Sequence, residues 1–94
     1  QDKVRLRIVK VRCQTSTRCS VDVRMTGPVE RVTGGIIVSA ERGGVQEQAI
    51  ATMVRKGLYR ARMRLPSGNV RITVDGFDWA GEKVARATGR FRVS

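Results

Sequence analysis

Histidine is absent from these 94 residues. Its absence removes the usual general base at neutral pH and the commonest zinc ligand with it. No serine stands in the context of a nucleophile elbow. The glycine pairs Gly34-Gly35 and Gly43-Gly44 lack the Lys-Ser/Thr sequel of a phosphate loop, so they read as bulge and turn. Asp75 and Asp78 are close in sequence, but they sit in a turn with no apolar pocket to raise a carboxyl pKa. These absences point away from an enzyme, with no catalytic residue and no cofactor expected.

Long apolar runs are also missing. None exceeds three residues, as at Ile36–Val38, against the ~20 needed to span a bilayer. No basic start followed by an apolar stretch is present, so the chain reads as a mature product or an excised module. Aromatic residues make up only 4%, too few for a platform that stacks successive bases. Acidic residues are scarce: 8 against 19 Lys+Arg, a net charge of +11. Such a field attracts phosphate polymers, acidic polysaccharides and anionic lipid surfaces. The plainer reading is that arginine, which far outnumbers lysine here, fills the solvent face of short strands, as a GC-rich codon bias would also produce. Hydrophobic content of 40% and charged content of 29% are those of a globular chain, and the length suits one domain over residues 1–94.

Alternation of apolar and polar residues dominates what is present, and it places every second side chain on one face of a strand. The C-terminal part carries three such rows. Tyr59, Ala61, Met63 and Leu65 alternate with Arg60, Arg62 and Arg64; Val70, Ile72 and Val74 with Arg71, Thr73 and Asp75; Ala85, Ala87, Phe91 and Val93 with Arg86, Thr88, Arg90 and Arg92. Upstream, Val4, Leu6 and Ile8 set one phase before Val9 and Val11 take over the other, which predicts a bulge or a switch between sheets. Cys19, Val21, Val23 and Met25 form a second strand ended by Gly27-Pro28, and Val32 to Ala40 a third, with Ile36, Val38 and Ala40 inward. Val45–Lys56 is ambiguous. Val45, Ala49, Ile50, Met53 and Val54 fit a helical stripe with Gly57 as its cap, whereas the meander around them favours one or two short strands.

Cys13 and Cys19 flank the polar loop 14–18. A hairpin folded about Ser16 pairs 13 with 19, 11 with 21 and 9 with 23 on one face, close enough for a disulfide. Two thiolates without histidine cannot complete a tetrahedral metal site. Two free buried cysteines are the alternative; the disulfide is the expectation, and with it a secreted, cell-surface or periplasmic location.

About seven short strands with turns every 8–12 residues predict an all-β, two-sheet antiparallel sandwich. The segment from Gly57 to Glu82 resembles the C-terminal half of bacterial immunoglobulin-like domains. Gly57, Tyr59, Leu65, Gly68, Asn69, Ile72, Val74, Asp78, Ala80 and Gly81 stand where that pattern has its glycine, aromatic, leucine, Gly-Asn, apolar strand and Asp-x-Ala-Gly turn. Glu82 replaces the usual asparagine, Gly76-Phe77 alters the approach to the turn, and the cysteine hairpin is foreign to the pattern. The resemblance spans about 40% of the chain and implies a fibronectin-III-like or immunoglobulin-like sandwich acting as a spacer, adhesion unit or accessory domain.

Three sets of residues are candidates for contact with a partner. Asp75, Asp78 and Glu82 offer oxygens to calcium, although an ordinary acidic turn explains them better and no metal is expected. Phe77 and Trp79 are a candidate hot spot or sugar-stacking pair; the favoured reading folds Trp79 back to cap the open end of the sandwich. Arg60, Arg62 and Arg64 form a row that Arg5 and Arg7, or Arg86, Arg90 and Arg92, extend if their strands share its sheet, giving either a polyanion face or a guarded edge. The expected role is therefore a non-catalytic interaction module with a protein or cell-envelope partner and no small-molecule substrate. The alternative is a domain that binds nucleic acid or an acidic envelope polymer through its arginines.

Overall fold

The computed structural model describes residues 3–15 and 17–93; Ser16, the expected pivot of the cysteine hairpin, lies outside them. Seven antiparallel strands make the chain all-β: β1 (Arg5–Thr15), β2 (Arg18–Thr26), β3 (Gly35–Arg42), β4 (Val45–Arg55), β5 (Leu58–Met63), β6 (Gly68–Phe77) and β7 (Lys83–Val93). A short 3-10 turn, Val29–Arg31, follows Pro28. The third strand therefore begins at Gly35, and the expected start at Val32 is corrected. Pro28 has no N–H to give a ladder, and the N–H groups of Arg31 and Val32 bond back to the carbonyls of Pro28 and Val29 instead.

The strand order is β1-β2-β5-β4-β3-β6-β7. β4 holds this order together by changing partners along its length. Val45–Ala51 pair with β3, whereas Thr52–Arg55 pair with β5. The sheet thus wraps round, and its outer strands β1 and β7 lie against each other without pairing. The result is nearly closed and barrel-like rather than cleanly divided into two sheets.

A single apolar core fills the wrap. Val21 and Val23 from β2, Val38 from β3, and Val70, Ile72 and Val74 from β6 are fully buried. Each contributes about 1.5–3 kcal/mol relative to an exposed side chain. The alternating rows of the sequence are the inward rows of the strands, and the arginines between them face water.

The ambiguous segment is a strand, not a helix. Gly43 and Gly44, both at positive φ, make the two-residue turn between Arg42 and Val45, the geometry of a tight hairpin whose twist matches its strands. Gly57 serves a β-turn rather than a helix cap, with φ of 81° between β4 and β5.

Candidate polyanion interface

The geometry of β1 decides how the cations of the N-terminal half are arranged. Leu6 faces Met25 and Ile8 faces Val23, but the next pair in the ladder is Lys10 with Asp22. Val9 is the extra residue, so the phase change in the sequence is a bulge. Its consequence is one of parity. Before the bulge the odd-numbered Arg5 and Arg7 point outward; after it the even-numbered Lys10 and Arg12 do, while Val11 and Cys13 pair with Val21 and Cys19. The expected pairing of 9 with 23 is corrected to 8 with 23 for this reason. Without the bulge, two of these four cations would point into the core.

β2 and β5 extend the same face. Arg12, Ser20 and Arg62 form one row across the three strands, and Lys10, Asp22 and Arg60 form the next. Arg7 and Arg24 lie opposite each other further along, and Arg18 and Arg64 are exposed at the other end. Rows on neighbouring strands are ~4.8 Å apart, and successive outward residues on one strand ~7 Å apart. Among the described residues, nine cations therefore share this face with one carboxylate, Asp22.

That carboxylate is committed. The Arg60 guanidinium donates from Nε to Oδ1 at 2.7 Å and from Nη2 to Oδ2 at 3.1 Å. Asp22 is held below its ordinary pKa, chiefly by the hydrogen bond from Arg60 and, against the opposing effect of burial, by the charges of Arg60, Arg12 and Lys10. The same hydrogen bond raises Arg60 above the usual arginine value. At the end of the face near the disulfide, Arg12, Arg18, Arg60, Arg62 and Arg64 line a concavity of about 680 Å³. The Cys13–Cys19 disulfide forms part of its wall, with Cys19 buried and Cys13 exposed.

The other candidate arginines lie elsewhere. Arg86, Arg90 and Arg92 are on β7, on the outer face of β3, β6 and β7, so they do not extend the row of Arg60, Arg62 and Arg64. Part of the charge on that second face is paired. Arg86 donates to both oxygens of Asp75, at 2.7 and 3.3 Å, with Lys83 3.8 Å away, and Arg71 pairs with Glu41. Arg86 is raised by its hydrogen bond to Asp75. Between the ion pairs runs an uncharged row of Gln48, Ser39, Thr73 and Thr88. Arg5 and Arg7, by contrast, do lie on the face of Arg60, with β2 between them.

The aromatic candidates part company as well. Phe77 ends β6 half-buried, but Trp79 is 86% exposed. The expectation that Trp79 caps the core is overturned. Asp78 Oδ1 accepts from the amides of Ala80 and Glu82, and the Asp78 amide donates to the Glu82 carbonyl. This tight turn holds the indole outward, and aliphatic side chains fill the core. Asp75 is bonded to Arg86 on the outer face of β6 rather than turned toward Asp78. Among the described residues no cluster of three or more acidic or cysteine side chains is arranged to hold a metal.

Lys10, Arg12, Arg18 and Arg24 belong to the basic face although no alternating arginine row marks them in the sequence. The signal for them was the cysteine hairpin: its register already sets Arg12 across from Ser20. Comparison of the chain with family models, curated proteins and solved structures finds no match in any of the three.

Proposed function

We propose that this chain is an exported, non-catalytic immunoglobulin-like module that holds a polyanion on its β1–β2–β5 face. The concentration of nine cations against one carboxylate among the described residues of that face, beside a second face where Arg71 and Arg86 are paired with Glu41 and Asp75, carries the reading. A solvated surface produced by codon bias would have no reason to sort charge in this way. Guanidinium groups suit phosphate, sulfate and carboxylate oxygens, which they grip two at a time.

The disulfide supports export, because such bonds persist in oxidising compartments. The strand order supports the sandwich family: β1-β2-β5 on one side and β4-β3-β6-β7 on the other follow the order of immunoglobulin sheets, with β4 as the strand that changes sides. The motif from Gly57 to Gly81 supports it too. Leu65 is buried, Tyr59 faces inward and Gly57 turns the chain between β4 and β5.

An acidic polysaccharide of the cell envelope fits this face better than a nucleic acid. Among the described residues the face bears no aromatic ring on which bases would stack. It also presents three strands side by side, whereas reading a DNA groove takes a helix or a two-stranded ribbon. The test is a salt titration of binding to an acidic polysaccharide and to short duplex DNA. Wild type is compared with Arg12→Ala/Arg62→Ala/Arg64→Ala and with the opposite-face control Arg86→Ala/Arg90→Ala/Arg92→Ala. Binding should fall steeply with salt, and the first variant should flatten the log–log slope by about 2–3 while the second leaves it nearly unchanged. Equal losses in both variants would reduce the charge to a diffuse field, leaving a spacer module.

A further inference from the structure

β4 departs from the rest of the molecule in two ways. Residues 45–54 contain no lysine or arginine, and Glu47 is their single charge, in a chain of net charge +11. Along them Val45, Ile50, Met53 and Val54 are exposed, Ile50 to 69%. The strand also has a free edge. Val45–Ala51 pair with β3 on one side, and pairing with β5 starts only at Thr52. Over 45–51 the edge turned away from β3 therefore has no strand partner among the described residues.

Exposed edges are normally guarded by lysine, proline or a bulge. This stretch has no lysine or proline, and the bulge of β4 falls beyond it, between Met53 and Arg55. We propose that a second copy of this chain pairs antiparallel along 45–51 of β4, making a two-fold dimer through a shared sheet. Charge selects that occupant. Two molecules of +11 repel over most of their surfaces, and this cation-free strand is where they meet at least cost. An acidic partner would be drawn instead to the β1–β2–β5 face. A two-fold axis crossing the strand makes the contact self-complementary, since each copy offers the same free amides and carbonyls. A seam of one strand pair is small, so the dimer should be weak, with a Kd on the order of 10 μM.

Sedimentation of the intact chain from about 5 μM to about 500 μM, at low and at moderate salt, tests this directly. The expected result is a monomer–dimer equilibrium that tightens as salt screens the repulsion. Salt weakens polyanion binding, so the two proposals respond in opposite senses and each can fail without the other. Gln48→Lys leaves an exposed position exposed, so the monomer should melt as wild type, yet residue 48 lies opposite its own copy on the two-fold axis of a 45–51 pair, so the dimer Kd should rise at least about tenfold as like charges meet across the seam. Hydrogen exchange should show amides within 45–51 gaining protection with protein concentration. A chain that stays monomeric across the range overturns the proposal. So does a dimer indifferent to Gln48→Lys that leaves 45–51 unprotected.

Discussion

Asp22 and Arg60 face each other across the β2–β5 ladder and are joined by two parallel hydrogen bonds. The pair sits in the middle of a cationic face, so Asp22 both anchors one arginine and subtracts from the charge offered to a ligand. Its carboxyl is held below the unfolded value of 3.8. A depressed pKa means stabilisation that is fully present above the unfolded value and is lost as pH falls through the folded one. Asp22→Asn should therefore lower the melting temperature at neutral pH, and the difference from wild type should close at acid pH below both values. The same variant frees Arg60. Polyanion binding should become tighter, with a salt slope steeper by about one counterion. Thermal melts across pH and a salt titration check the two halves. Weaker binding in Asp22→Asn would mean that the aligned Arg60 matters more than the charge.

Reduction of the Cys13–Cys19 bridge should destabilise the fold by about 2 kcal/mol, the entropy of closing a short loop. Urea denaturation with and without a reductant measures this. The bridge ties the end of the β1–β2 hairpin next to Arg12 and Arg18. Reduction at a urea-free, fully folded concentration should thus weaken polyanion binding severalfold. It should leave the Arg7–Arg24 end of the face, beyond the bulge, with unchanged amide protection.

The strands whose two faces stay the same along their length were legible from the sequence. Val70, Ile72 and Val74 alternate with polar residues in the sequence and are fully buried in the fold. β4 was not legible in this way, and its partner change explains why. Its inward row runs from Glu47 and Ala49 to buried Ala51 and then out to exposed Met53. A strand that leaves one neighbour for another midway buries no continuous stripe, so a helical period fits it as well as an alternating one. The phase break at Val9 was visible as a bulge or a switch between sheets, and the ladder makes it a bulge. Its effect, the gathering of Lys10 and Arg12 with Arg5 and Arg7, needed the register. Trp79 misled because a chain short of aromatics was expected to use its largest ring in the core. The backbone bonds to Asp78, which hold it out, leave only a common turn sequence as their trace.

Gly34 marks where two chain segments come closest. Its amide donates to the Phe77 carbonyl at 2.9 Å, and a Cβ built on it would lie 2.0 Å from the carbonyl oxygen of Asp78. Both neighbours are backbone, so no side chain can swing aside. The Asp78 carbonyl also accepts from the Gly81 amide at 3.0 Å, and the Asp78 carboxylate holds Ala80 and Glu82. Making room at Gly34 therefore means displacing the start of the whole β6–β7 turn. Gly34→Ala should cost about 2–3 kcal/mol, in the range of overpacking a tight contact. Thr33→Ala, one residue earlier and exposed, should stay within about 0.5 kcal/mol of wild type. Denaturation of the two variants separates them. Because Trp79 rides on that turn, its fluorescence provides a local readout: Gly34→Ala should alter quencher access to the indole in the folded state, and Thr33→Ala should not. A Gly34→Ala protein as stable as wild type would mean that β3 and the β6–β7 turn approach less closely than the fold requires.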